Sequence, residues 1–264
     1  MKKILCVLIL FTLHTACYAD LQEIHCKHFI YGYPLGTPAT NDMIIRDIYA
    51  LSSNDQTKFA DWVCYRLDRE TVEGEANTKR KWKADPWLED EETLEPPDYK
   101  GANAALKTDR GHQAPLASFK GTKNWHETNY LSNITPQKAN LNQGAWKNLE
   151  DSVRDLVKKG REVWVMTGPL YEENETSMPK ADEPHKVPSG YWKIVVTKNP
   201  EIKIAAFVMD QDTPRNSKVI SHIVTVDDVE QKSGLDFLWE LPDDKENNLE
   251  SQDCKAWAES WVRK

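Results

Sequence analysis

Positive charge is in short supply. Thirty-four Lys and Arg face 42 Asp and Glu, a net of −8 at pH 7. Affinity for nucleic acid comes largely from neutralising phosphates, so this balance argues against a general electrostatic clamp on a polyanion. Cysteine is scarce too. Five are present, and only Cys26, Cys64 and Cys254 lie beyond residue 17; three thiols allow one disulfide with one left over, not a densely stapled scaffold. Long apolar runs are missing after residue 13, so nothing in the remainder is apolar enough to cross a membrane. Internal repeats, low-complexity tracts and any base-reading module are also absent. What remains is an ordinary composition, 39% hydrophobic and 29% charged over 264 residues, suited to one large core.

The N-terminus carries a processing signal. Lys2 and Lys3 precede an apolar run over residues 4–13 that is too short for a membrane helix, and Cys17-Tyr18-Ala19 puts small residues at the cleavage-determining positions. Cleavage is expected after Ala19, leaving residues 20–264 as a single domain; a lipoprotein site at Cys17 is the rival, which His14 and Thr15 fit poorly. Export places the chain in the periplasm or the medium, an oxidising setting in which Cys26–Cys64 is the favoured bridge. Cys64 alternatively packs as a buried strand thiol in Trp62-Val63-Cys64-Tyr65. Loss of Lys2 and Lys3 leaves 32 basic residues and a net of −10. The charges are unevenly spread, acidic over 89–92 and 243–253 and basic at Lys79-Arg80-Lys81-Trp82-Lys83. A cationic cleft on an acidic body still steers a polyanion and releases it quickly.

Runs of β-branched and aromatic residues predict strands over 43–51, 59–67, 129–134, 162–166, 191–197 and 202–209. A turn is expected at Ser52-Ser53-Asn54-Asp55, a short helical piece over 101–107, and a long functional loop over 70–100. From about Asn140, apolar residues at three- and four-residue steps predict one helix running to Lys158-Lys159-Gly160, a basic stretch closed by glycine. A further helix begins at Thr225 or Asp227, residues 240–253 read as an exposed acidic segment, and residues 256–262 read as a terminal helix. Strands and helices do not alternate regularly, which favours α+β.

The chemistry concentrates between Asp109 and Arg154. Neutral imidazole accepts a proton near physiological pH, so His112 in Asp109-Arg110-Gly111-His112 is a candidate base, although a lone histidine is more often structural. Gly111 lets the backbone approach a substrate or adopt a positive φ. Asn142, in Leu141-Asn142-Gln143-Gly144-Ala145-Trp146, offers one neutral oxygen, enough for Mg²⁺, which keeps several waters; an amide at a helix start is the plain alternative. Glu150 follows Asn142 by eight residues, about two turns on one broad side of a helix, and Arg154 stacks four residues beyond. The plain alternative for these two is an exposed ion pair, and for Asp109 and Arg110 a local one. Arg80 either neutralises a phosphate or belongs to a solvated basic loop. Trp82 is more often packing than a stacking platform.

With Asp-Arg-Gly-His followed 30 residues later by the asparagine of Leu-Asn-Gln-Gly-Ala-Trp, the chain resembles the DNA/RNA non-specific endonuclease family over about residues 57–241. That family includes the secreted Serratia-type nuclease, whose branch matches better, and endonuclease G. The resemblance implies a ββα-metal nuclease fold, a central antiparallel sheet with helices on both faces. It implies His112 as general base and Asn142 as the one direct protein ligand of Mg²⁺, with Mn²⁺ or another divalent ion left open. Glu150 then holds water of the ion's hydration shell, Arg154 orients Glu150 or meets phosphate, Arg80 stabilises phosphate charge, and Asp109 and Arg110 support the site. DNA and RNA, double- and single-stranded, are the expected substrates, giving 5′-phosphate products. No membrane contact is expected after leader removal, and a homodimer is left open. A non-catalytic nucleic-acid-binding domain on the same fold, or a phosphodiesterase for small nucleotides, are the rival readings.

Overall fold

Near-continuous runs of apolar residues make strands that bury side chains on both faces. The computed structural model describes residues 23–75, 79–173 and 176–263; the expected leader and its cleavage site after Ala19 lie outside them. Among the described residues nine strands follow the chain: β1 (Asp42–Ile45), β2 (Ala50–Ser53), β3 (Ala60–Leu67), β4 (Thr108–His112), β5 (Ile134–Lys138), β6 (Val163–Leu170), β7 (Gly190–Thr197), β8 (Lys203–Asp210) and β9 (Ile223–Val224). Seven form an antiparallel sheet in the order β1-β2-β3-β6-β7-β8-β9, and β4 and β5 form a separate antiparallel ribbon. The helices are α1 (Arg69–Val72), α2 (Ala102–Leu106), α3 (Ala139–Gln143), α4 (Ala145–Lys158), α5 (Val226–Ser233), α6 (Asp243–Glu250) and α7 (Lys255–Glu259). Among the described residues no helix is long and apolar enough to cross a membrane.

Each face of the sheet has its own core. On β3, Val63, Tyr65 and Leu67 join the cluster under α4 and α7, while Trp62 and Cys64 join the cluster under α5. Helix α4 is placed by packing. Trp146, Leu149, Val153 and Val157 are buried along it, each worth about 1.5–3 kcal/mol, against about 0.3–0.5 kcal/mol for a surface pair such as Lys147–Asp151. The expected α+β class and antiparallel sheet with flanking helices are both present.

Four local expectations change. Residues 43–51 make two strands, because the chain turns at Arg46, whose amide bonds the Tyr49 carbonyl at 2.8 Å and whose side chain is drawn inward to Asp85. Residues 129–134 are mostly 3₁₀ turns, and the strand starts at Ile134 and runs through Pro136. A two-stranded ribbon has an outer edge where a missing N–H costs nothing. The single helix from Asn140 is broken at Gly144, where a Cβ would lie 2.4 Å from both the Arg215 and Asn140 carbonyl oxygens. Asn142 and Glu150 therefore sit on two helices, and the helical-rotation estimate relating them does not apply. The acidic segment after 240 contains α6, with Glu250 buried.

Cys26, Cys64 and Cys254 are free thiols, so the favoured Cys26–Cys64 bridge is not formed here. Cys64 is fully buried on β3 and packs as a small apolar side chain in the cluster that Cys26 borders. Cys254 donates to the Val224 carbonyl at 3.4 Å.

Candidate active site

Strand β4 carries Asp109, Arg110 and His112 to one end of the ribbon, in register with Gln137, Pro136 and Ile134 of β5. Gly111 is there for its neighbour: a Cβ would lie 2.7 Å from Gln137 Cβ and Oε1. Its φ is not positive, so cross-strand crowding, not a left-handed backbone, requires glycine. Beyond His112 the chain is fixed by Asn133, whose side chain accepts from Ala114 N–H at 2.8 Å and donates to the carbonyls of Ala114 at 3.0 Å and Thr128 at 2.9 Å.

All seven residues singled out from the sequence, Arg80, Asp109, Arg110, His112, Asn142, Glu150 and Arg154, line one open cavity of about 660 Å³. The His112 ring packs 5.3 Å from Trp82, centroid to centroid. Its Nε2 is buried without a hydrogen bond, and the ring lines the cavity. Burial first, and then the charge of Arg80, lower the imidazole pKa to about 4, against a smaller opposing pull from the Asn129 side chain. The ring is therefore neutral, with a free lone pair, through the physiological range.

Asn142 is oriented by charge. Its Nδ2 donates to Asp109 Oδ2 at 2.9 Å, and Gln143 Nε2 donates to the same oxygen at 2.7 Å. A carboxylate only accepts, so the amide nitrogen must face Asp109 and the amide oxygen is turned away from it. That oxygen has no hydrogen bond among the described residues. One neutral oxygen in an open polar cavity that the Glu150 carboxylate also lines suits a hydrated hard divalent cation that retains most of its waters.

The two arginines nearest the expected chemistry are differently employed. Arg154 donates to Asp151 Oδ1 and, at 3.3 Å, to Ser118 Oγ, so its hydrogen bonds go to these partners, while its charge still acts on the Glu150 carboxylate one turn earlier. Burial raises the Glu150 carboxyl, and the charges of Lys193 and then Arg154 pull it back down. Arg110 lies over the rings of Trp82 at 5.4 Å and Tyr99 at 5.1 Å and donates to the Pro96 carbonyl at 3.0 Å. It straps the 82–99 loop to β4. Arg80 is exposed and has no acidic partner among the described residues.

The chain matches the family described as DNA/RNA non-specific endonuclease over residues 27–244. It is 46% identical to a nuclease of Serratia marcescens over 225 residues, 84% of each chain. It is 28% identical to mitochondrial endonuclease G of Bos taurus over 216 residues, covering 77% of this chain and 71% of that one. The solved complex of EndoG with EndoGI superposes with a TM-score of 0.68 at 26% identity, over 80% of this chain and 90% of that one. The chain belongs to the DNA/RNA non-specific endonuclease family. It is a metal-dependent endonuclease on the ββα-metal fold.

Sequence reasoning missed what holds the endonuclease's Arg80 loop. Arg46 and Asp85 form an ion pair with side chains only 2% and 0% exposed. Ser132 Oγ also donates to Asp85, and the Arg46 guanidinium lies 4.1 Å from the Trp87 ring and 4.6 Å from that of Tyr130. Lys83 bonds the Asn129 carbonyl and accepts from Leu131 N–H, at 3.3 and 2.9 Å. The only signal was the Asp85 of Trp82-Lys83-Ala84-Asp85-Pro86, whose partner stands 39 residues upstream. Removing one member of a buried pair strands the other's charge. Asp85→Ala is therefore expected to cost about 3 kcal/mol in urea unfolding and to lower activity by releasing Arg80 and Trp82; a loss below about 1 kcal/mol would mean the pair is not holding the loop.

Proposed function

We propose that the endonuclease cuts DNA and RNA with His112 as general base and with Mg²⁺ held at the amide oxygen of Asn142. The observation that supports this most is the Asp109–Asn142 hydrogen bond, which turns a free amide oxygen away from Asp109 in the same cavity that His112 lines. His112 takes a proton from water as its oxygen attacks phosphorus in line. The new P–O bond forms as the bond to the 3′ oxygen breaks, so the phosphate remains on the 5′ end and the 3′ oxygen leaves to gain a proton. Arg80 neutralises the charge that builds on the phosphate. Glu150 accepts hydrogen bonds from ordered water beside Asn142. When bound, the cation supplies electrostatic stabilisation of the leaving oxygen. Asp109 holds the amide, and Arg110 and Trp82 hold the loop and the imidazole. Recognition rests on the backbone, so sequence preference is slight and the 2′-hydroxyl is tolerated.

The same reading includes an export leader over residues 1–19, one catalytic domain over 20–264, and action in the periplasm or the medium. The decisive experiment incubates the processed protein with plasmid DNA and with RNA, with Mg²⁺ or with chelator. Both polymers should be degraded only with Mg²⁺, with ends that a phosphatase must treat before a kinase can label them. Retention of polymer without cutting would favour a binding module, and hydrolysis of small diesters alone a nucleotide phosphodiesterase.

A further inference from the structure

Lys193 is an anomaly within the sheet. It sits mid-strand in β7 and is fully buried, where an ammonium without a counter-charge is costly. Tyr191 and Val195, two residues to either side, belong to the core beneath α4, so alternation points Lys193 to the same face. Its ammonium donates to Thr167 Oγ1 at 3.2 Å and Tyr65 Oη at 3.5 Å, and lies 4.5 Å from the centre of the Trp146 ring. All three partners are neutral. Trp146 is one turn before Glu150 on α4, on the same stripe. Glu150 is the acidic group that acts most strongly on Lys193, and Lys193 is the cation that acts most strongly on Glu150. Asp151, next along the helix, is already taken by Lys147, Arg154 and Arg263.

We infer that Lys193 is a positioning residue for the hydrolysis: from beneath the cavity its ammonium keeps the Glu150 carboxylate ionised and fixed at the cavity wall. The inference rests on Glu150 serving the reaction as proposed above. Burial works against both charges, raising the carboxyl and lowering the ammonium, and each charge offsets the other's shift. A protonated Glu150 would present a donor where the site needs an acceptor. Lys193, sealed in the core, cannot meet the polymer and so acts through Glu150.

Lys193→Met tests this by removing the charge at similar length. The acid limb of kcat should move up by about one pH unit, so that below the limb kcat falls about tenfold, while KM for plasmid should change little. Arg154, Asp151 and Lys147 on α4 and Tyr65 on β3 also face Glu150; they are unchanged in the variant, so the displaced limb reports Lys193. The double variant Glu150→Gln/Lys193→Met buries no lone charge. It should match Glu150→Gln in kcat and melt above Lys193→Met. If Lys193→Met does not fold, a double variant that folds supports the inference, and one that also fails to fold overturns it. An unshifted limb in folded Lys193→Met, with Glu150→Gln impaired, overturns the role of Lys193 alone. Full activity in Glu150→Gln overturns the role of Glu150, and this inference with it.

Discussion

His112→Ala is expected to lower kcat on plasmid DNA by about 10²–10⁴-fold, the usual contribution of a positioned general base, while KM changes little. The imidazole does not serve to hold the polymer: it is uncharged at working pH, pulled down to about 4 by burial and by Arg80. Its loss therefore removes an interaction made in the transition state and leaves ground-state binding to Arg80 and its basic neighbours. The same shift sets the sign of the pH dependence. A lowered pKa keeps the base form populated as pH falls, so His112 itself limits the rate only toward pH 4. Arg80→Ala removes one of the influences holding that pKa down and should move this limb upward, toward the ordinary imidazole range. Because His112 lines a cavity of about 660 Å³, the truncated side chain leaves room for a small base, and added imidazole should restore part of the rate in His112→Ala but not in Asn142→Ala. Plasmid nicking measured against imidazole concentration checks this; undiminished cutting by His112→Ala would remove the base assigned here.

That the candidate residues would share one cavity was legible because most of them are close in sequence. His112 and Asn142 stand in two short motifs, and the ribbon and α3 that carry them lie side by side. The sheet was legible for a different reason. The β-branched and aromatic runs over 59–67, 191–197 and 202–209 report burial on both faces, a property each strand carries by itself. What failed depended on partners far along the chain. The strand break at Arg46 goes with its burial against Asp85, and the glycine at the helix break, Gly144, is required by the carbonyl of Arg215 among others; neither partner is visible from local pattern. Helical spacing stacks Arg154 on Glu150 but could not choose between an ion pair and a site role, and Asp151, three residues before Arg154, offered an equally near acceptor that spacing could not rank. Lys193 was hidden most completely, since one lysine inside Tyr191-Trp192-Lys193-Ile194-Val195-Val196 reads as a strand with a solvent-facing position until the sheet is seen to be covered there.

Asn142→Ala is expected to weaken the divalent cation and to reduce kcat/KM by about 10²–10³-fold, since a Lewis acid contributes several kcal/mol to the transition state. The more informative variant is Asn142→Asp. Carboxylate oxygens are ordinary Mg²⁺ ligands, so ligand chemistry alone predicts tighter binding and an active enzyme. The structure predicts the opposite. Asp109 Oδ2 accepts from Asn142 Nδ2 at 2.9 Å, and a carboxylate at 142 has no proton to give, so two anions would meet and the side chain would swing off its aim. Asn142→Asp alone should therefore lose activity at neutral pH. Asp109→Asn/Asn142→Asp restores a donor to the pair with the polarity reversed, and should recover both cation affinity and part of the rate. Calorimetric titration with Mg²⁺ and Mn²⁺, run beside plasmid cleavage, separates the two outcomes. If Asn142→Asp is as active as the wild type while the exchanged pair is not, Asp109 does not aim the amide, and the cation is held by some other arrangement of the cavity.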